Sequence, residues 1–271
     1  MYFSVLPPRG TPVPVVVEVP HAGLGIEPLS AATLIAPVSA LGRDADLYVD
    51  ELYTDAPDLG ASVLVSHVSR YVCDLNRSEM DVDAHAVQGA QGSNFPHGLI
   101  WHQTTESQPA IAEPVSRAEY ERRLRLIYRP YHQALRRLLM ESVQRFGYVI
   151  LLAAHSMPGA GRSGHRDPGT TRADVVPGSR GFTTADPLVI RCPEQLAVQR
   201  GWSVAHDAPY RGGFTTGHYG QPQNRVHAVQ VELNRQLYMN EQTLERLPGR
   251  FEDTRAYCAD LVRTLASLTI A

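Results

Sequence analysis

Three predominantly apolar stretches of the chain each run into polar residues at their carboxyl ends. Val13–Val19 leads into Pro20-His21-Ala22-Gly23, Tyr148–Ala154 into His155-Ser156, and Val226–Val231 into Glu232-Leu233-Asn234-Arg235. Short runs rich in Val, Ile and Leu are read as strands buried on both faces. Ala61–Val65 has the same character, Tyr71–Asp74 is expected to continue the sheet, and Trp202–Ala205 reads as a further strand. Between the strands the period lengthens. Leu47, Val49, Leu52 and Tyr53 share one side of a segment opened by Gly42-Arg43-Asp44, which predicts a helix ending near Pro57. Ser116-Arg-Ala-Glu119 is a capping box, and Leu124, Ile127, Tyr131, Leu135, Leu138 and Leu139 hold helical spacing behind it to about Phe146. Pro130 should kink or split that helix. Helices are also expected over Glu194–Gln199, Glu241–Leu247 and Phe251–Leu268. Residues 78–114 and 157–187 read as irregular, and stretches that long without elements are usually functional or mobile.

Strands alternating with helices predict an α/β fold, a mostly parallel or mixed central sheet with helices on both faces. No internal repeat or linker divides the sequence, so residues 1–271 are expected to form one domain. In open sheets of this kind, ligands gather outside the carboxyl ends of the strands. The polar residues that end the three apolar runs are therefore the first candidates for chemistry.

Composition narrows the choices. The net charge is −3, which makes no case for nucleic acid or an anionic membrane as partner. All 25 basic residues are arginine. That excludes a Schiff-base lysine, a P-loop lysine and a Ser-Lys dyad, and leaves a planar fork suited to carboxylates. Cys73, Cys192 and Cys258 are far apart and form neither a disulfide framework nor a thiolate metal site. The N-terminal Met1–Arg9 lacks the basic region of a signal peptide, and no apolar run approaches the ~20 residues of a membrane span. A cytoplasmic protein is expected, and a homo-oligomer is compatible with the sequence.

His21 and His155 end two separate strands, and Asp44-Ala-Asp46 offers a carboxylate at a helix start. Two imidazoles and a carboxylate are the inventory of a hydrolytic zinc site. Either aspartate could be the ligand and the other a helix cap; spacing leaves both open. Glu232 ends an apolar strand, where an unpaired carboxylate is costly. It is either a general base or the partner of Arg235 or Arg77. Asn76-Arg77, after a strand, pairs a neutral amide with a guanidinium and suits a substrate carboxylate. Arg211 in Tyr210-Arg-Gly-Gly213 and Arg180 in Gly178-Ser-Arg-Gly181 are further candidates of that kind.

In sequence order, several motifs together resemble the N-formylglutamate amidohydrolase family. They are Pro20-His21-Ala22-Gly23, Asp44-x-Asp46…Leu52-Tyr53, Ser69-Arg70-Tyr71…Asp74-Leu75-Asn76-Arg77, Ala154-His155-Ser156-Met157-Pro158, Pro209-Tyr210-Arg211-Gly212-Gly213, and Val231-Glu232-Leu233-Asn234-Arg235…Leu237-Tyr238-Met239. The resemblance implies a zinc carboxypeptidase-like hydrolase fold. It further implies Zn2+ held by His21, Asp46 or Asp44, and His155, with Glu232 as the base. Asn76-Arg77 is similar to the adjacent pair that binds the substrate carboxylate in carboxypeptidases. Leu24 stands where carboxypeptidases carry the acidic ligand, so here the carboxylate comes from elsewhere. The implied activity is hydrolysis of an N-acyl amino acid, foremost N-formyl-L-glutamate in histidine degradation. A zinc peptidase or amidase, or a non-catalytic binder of acidic amino acids, are the alternatives.

Overall fold

The computed structural model describes residues 1–92 and 95–270. In chain order the elements are β1 (Phe3–Leu6), β2 (Val15–Val19), α1 (Pro28–Ala31), α2 (Val38–Asp44), α3 (Val49–Leu52), β3 (Ser62–Ser66), α4 (Arg117–Arg123), α5 (Arg129–Phe146), β4 (Val149–Met157), β5 (Val175–Gly178), α6 (Pro187–Gln199), α7 (Phe214–Tyr219), β6 (Val226–Asn234) and α8 (Arg250–Ser267). The six strands form one mixed sheet in the order β1-β3-β2-β4-β6-β5. The four inner strands are parallel, and both edge strands run antiparallel to their neighbours. No helix among the described residues is long and apolar enough to cross a membrane.

Two hydrophobic cores sandwich the sheet. Val15, Val17 and Val19 join the core formed with α3, α6 and α8, whereas Val16 joins the core formed with α4 and α5. Strand periodicity thus splits each apolar run between two layers. From β2 the chain moves outward to β3, then returns to β4 on the other side of β2. The order therefore reverses between β2 and β4, which is where an open α/β sheet leaves a crevice at its carboxyl edge.

Several expected elements differ. The helix expected up to Pro57 breaks after Asp44, and only Val49–Leu52 resumes it. Tyr48, at φ 67°, turns the chain so that Asp44 and Asp46 face inward. Tyr71–Asp74 is a turn closed by Val72 and Cys73 amides on the Ser69 carbonyl, not a strand. Pro130 does split its helix: a π-helical turn over Leu124–Tyr128 precedes it, absorbing the missing N–H. Trp202–Ala205 contributes a single bridge from Val204 to Val175. Glu241–Leu247 is not helical, because Asn240 Oδ1 takes the Gln242 and Thr243 amides in a local turn. Within the stretch read as irregular, Val175–Gly178 is an edge strand, the position at which Pro177 is tolerated.

One polar residue sits inside β2. Glu18 is fully buried, accepts 3.1 Å from the Tyr131 hydroxyl, and leaves Oε2 without a partner. Burial pushes its carboxyl up to about 7, against the opposing pull of His155. A folded-state pKa above the unfolded value means that the protonated acid favours the fold at low pH. That contribution is lost as pH rises from about 4.5 through about 7, and is on the order of 3 kcal/mol. Glu18→Gln, neutral at every pH, should therefore raise Tm at about pH 8 and change it little at about pH 5. Parallel Tm-versus-pH curves for the two proteins would show that Glu18 carries no such penalty.

Candidate metal centre

His21 lies just past the end of β2, and its carbonyl accepts the Asp46 amide at 3.0 Å. That backbone bond brings the Ala45–Tyr48 break to the crevice. His155 is still within β4, paired in register with Glu232 on β6. The two side chains therefore share one face of the sheet, one pleat above Ala153 and Gln230. Asp46 Oδ2 lies 3.1 Å from His155 Nδ1 and 3.5 Å from His21 Nδ1. One donor atom from each of the three lies within 4.8 Å of the others, and all three residues are buried. Two imidazoles and one carboxylate, with no thiolate, are donors suited to a divalent cation with an open position.

The surroundings fix these three side chains. His21 Nε2 donates 2.8 Å to Asp74 Oδ1, while Arg70 Nη2 donates 3.0 Å to His21 Nδ1. A carboxylate on the far nitrogen is the usual support of a metal-binding imidazole. Asp74 also accepts from Trp101 Nε1 at 2.9 Å, Arg70 Nη2 at 3.2 Å and the Asn76 amide at 3.0 Å. Burial pushes the Asp74 carboxyl up, but His21 and Arg70 outweigh it and hold it well below the usual carboxylate range. Asp46 behaves alike: burial raises it, and the adjacent His155 and His21 imidazoles with the Arg70 charge hold it well below that range. Arg235 Nη2 closes the shell, 3.1 Å from Asp46 Oδ1.

Glu232 lies beside the triad. Gln230 Nε2 donates to its Oε1 at 2.8 Å, and no arginine pairs with it. Burial lifts its carboxyl above the usual range, opposed chiefly by His155. The Arg235 partnership considered from sequence goes to Asp46 instead. Asp44 stands outside the triad. Tyr71, the hydroxyl and amide of Thr105, and Arg162 at 2.9 Å occupy its oxygens. Asn76 is turned inward as well. Its Oδ1 accepts from the Thr215 amide and hydroxyl at 2.9 and 3.1 Å, and its Nδ2 lies 3.2 Å from His155 Nε2 and 3.3 Å from Gln230 Oε1. Its amide is thus engaged on both sides by the protein, at the lining of the cavity.

The triad opens into a cavity of about 530 Å³ that Glu232, Arg77, Arg180 and Arg211 also line. Eight arginines face five carboxylates around it, so the walls carry a positive surplus. The sequence offers no signal for the roles of Arg70 and Gln230, and pairs Arg235 with Glu232 when its partner is Asp46. Asp74, one of the motif residues, lies a loose 3.9 Å from Arg77. Arg180 is carried by a loop with its own clamp. Ser179 Oγ lies 2.7 Å from His206 Nε2, and His206 Nδ1 lies 2.7 Å from Glu194. These are the distances of a hydrolytic triad. However, Ser179 is fully buried and its Oγ already accepts the Phe182 amide, so the chain holds the loop's shape.

The chain is similar to known proteins over most of its length. The family model described as N-formylglutamate amidohydrolase matches residues 13–239. An N-formylglutamate deformylase of Pseudomonas aeruginosa is 33% identical over 257 residues, 93% of this chain and 92% of its own. One from Pseudomonas putida is 34% identical over 232 residues, 84% of this chain and 83% of its own. The crystal structure of an N-formylglutamate amidohydrolase from Ralstonia eutropha superposes with a TM-score of 0.89 at 30% identity, covering 98% of this chain and 97% of that one. A gene product of Agrobacterium tumefaciens shares the fold, with a TM-score of 0.71 at 17% identity over 98% of this chain and 95% of its own.

The inward amides rest on a close approach. A Cβ at Gly213 would stand 2.3 Å from Asn76 Nδ2 and 2.5 Å from its Oδ1. The Gly213 amide meanwhile donates 2.8 Å to Gln230 Oε1. Gly213→Ala should push Asn76 off its partners and cost roughly 1–3 kcal/mol, as overpacking does. Chemical denaturation measures this, and a change within about 0.5 kcal/mol would mean the amide network tolerates the methyl.

Proposed function

Because the chain belongs to the N-formylglutamate amidohydrolase family, we propose that it hydrolyses the formamide bond of N-formyl-L-glutamate, releasing formate and glutamate. The observation that carries this reading is the convergence of His21, Asp46 and His155 beside Glu232 in an arginine-lined cavity. We assign the metal to these three residues, with zinc as the ion their donors fit. Asp44, engaged by Tyr71, Thr105 and Arg162, is left out of that set. When bound there, zinc supplies a Lewis acid for the formyl oxygen and lowers the pKa of water.

The chain's own residues do the rest. Glu232 Oε1 is held by Gln230, and its Oε2 takes no hydrogen bond from the described protein residues. That second oxygen is free to accept a proton from the attacking water and deliver it to the leaving nitrogen. Burial raises its proton affinity, which suits a group that must both take and return a proton. Asp74 keeps the His21 ring oriented with Nδ1 toward Asp46. Arg77, Arg180 and Arg211 border the same cavity and offer charge to the two carboxylates of the substrate. Asn76 acts from beneath, by bracing His155 and Gln230, and not on the substrate.

Metal analysis with formate-release assays tests the reading. We expect about one zinc per chain by the open three-ligand arrangement, and loss of activity on chelation. Asp46→Asn should lose the ion, whereas Asp44→Asn should retain it. Retention by Asp46→Asn would refute the ligand set. Full activity without any metal would refute the mechanism. For Glu232→Gln the expected result is a kcat lower by ~10²–10⁴ with metal content unchanged. If that variant loses the metal, Glu232 is a ligand and the proton role is wrong. Specific binding of glutamate with no formate release from any N-formyl amino acid would favour a non-catalytic binder.

A further inference from the structure

On one wall of the cavity two guanidiniums lie against a single aromatic ring. Arg77 Cζ is 5.0 Å and Arg166 Cζ 6.0 Å from the centre of the Phe95 ring. All three residues line the cavity. Among the described residues Arg166 has no carboxylate within ion-pair distance. Arg77 comes no nearer to one than 3.9 Å, at Asp74, and its buried Nε has no hydrogen-bond partner. Asp74 compensates it only in part, because His21, Trp101, Arg70 and the Asn76 amide already share its two oxygens. Arg166 is exposed and Arg77 half-buried, so the two like charges at one ring are only partly screened, and the negative face of the ring offsets part of their repulsion. An anion at this wall would be drawn by both.

The ring is braced. Phe95 meets His97 edge-on at 5.8 Å, His97 packs 4.4 Å from Trp101, and Trp101 carries Arg70 at 4.4 Å. His97 Nε2 also donates 3.3 Å to the Thr104 carbonyl. A row of rings thus leads from the Asp74–His21 contact to the two arginines. Burial and the Arg70 charge both press on the Arg77 guanidinium, which an incoming carboxylate would relieve.

We propose that Arg77 and Arg166, organised by Phe95, form the subsite for the side-chain carboxylate of an acidic acyl amino acid. The proposal rests on the hydrolase reading above and extends it. An α-carboxylate is common to every N-formyl amino acid, so only a second anion site selects glutamate over glutamine. Arg77 and His21 contact the same Asp74 carboxylate, at 3.9 and 2.8 Å, and both arginines line the cavity onto which the triad opens.

The test compares an acid with its neutral amide, using the metal-loaded protein. Binding of L-glutamate and L-glutamine by calorimetry needs no turnover; kcat/KM for N-formylglutamate and N-formylglutamine is measured alongside. The wild type should prefer the acid in both assays. Arg166→Ala and Phe95→Leu should shrink that preference by roughly ten- to a hundred-fold, mainly through Kd and KM, as expected for a lost charge-assisted contact. Phe95→Tyr should keep most of it. A preference that survives Arg166→Ala, or an equal loss on acid and amide, overturns the subsite. So does a wild type that binds glutamate and glutamine alike. If the binding preference collapses in Arg166→Ala yet the wild type releases no formate, the subsite stands and the hydrolase reading falls.

Discussion

Two carboxylates, Asp46 and Asp74, are buried at the carboxyl edge of the sheet, and the rest of the site follows from keeping them ionised there. A buried charge is tolerated only when it is paired and its remaining lone pairs are satisfied. Arg70 reaches Asp74 directly and approaches Asp46 Oδ1 at 3.9 Å, and Arg235 holds that same oxygen at 3.1 Å. Each guanidinium also ties a backbone carbonyl of the α2 end, at Asp44 and Arg43 respectively. The same two arginines thereby neutralise the acids and fix the loop that delivers one of them. Removing either would leave an uncompensated buried charge, typically a loss of about 3–5 kcal/mol. Lysine, a point charge without the planar fork, could not serve two such partners at once.

The sheet supplies the second half of the arrangement. Glu18, Ala153 and Gln230 lie level across β2, β4 and β6, with His155 and Glu232 one pleat further along. Ala153 has almost no side chain, and the space beside it is occupied by polar groups from other segments. Asn76 and Thr215 meet there and join His155 to Gln230, which in turn holds Glu232. The positions of the imidazole and the carboxylate are therefore set by strand register and two amides, not by loop conformation. Register slips are disfavoured because each would exchange this polar face with the fully apolar one.

The strand ends were legible because their signal is local. An apolar run that stops on His21, His155 or Glu232 marks a sheet edge without any knowledge of tertiary contacts. The choice between Asp44 and Asp46 was not legible in the same way. It turns on a break at Ala45–Tyr48 and a backbone bond to His21, and neither leaves a pattern in the sequence. Asn76 and Arg77 both line the cavity, but the contacts that hold the Asn76 amide come from Thr215, His155 and Gln230, all distant in sequence, and so leave no local signal. Arg166 and Arg180 lie in Gly-, Arg- and Thr-rich sequence with no period to read. Even so, the length of that irregular stretch marks it as functional or mobile. β5 escaped notice because four residues with a proline carry too little periodicity to announce a strand.

Site and fold are consequently hard to separate in this molecule. His21, Asp46, Asp74, His155 and Glu232 come from five separate segments, and each is held by a group from another. Asp46 reaches His21 through its backbone and Arg235 through its side chain; Asp74 reaches His21, Trp101 and Arg70. A cation held by the triad would bind only the assembled form, so its binding free energy adds to folding stability. The cavity walls work the other way. Arg77 keeps a loose 3.9 Å contact to Asp74 and Arg166 is exposed, so both retain charge that an anionic occupant would meet. The interior acids are compensated by the chain; under the subsite proposed above, the wall cations would be compensated by the substrate. On that division of charge, one small cavity would keep a rigid centre and still discriminate by the charge of what enters it.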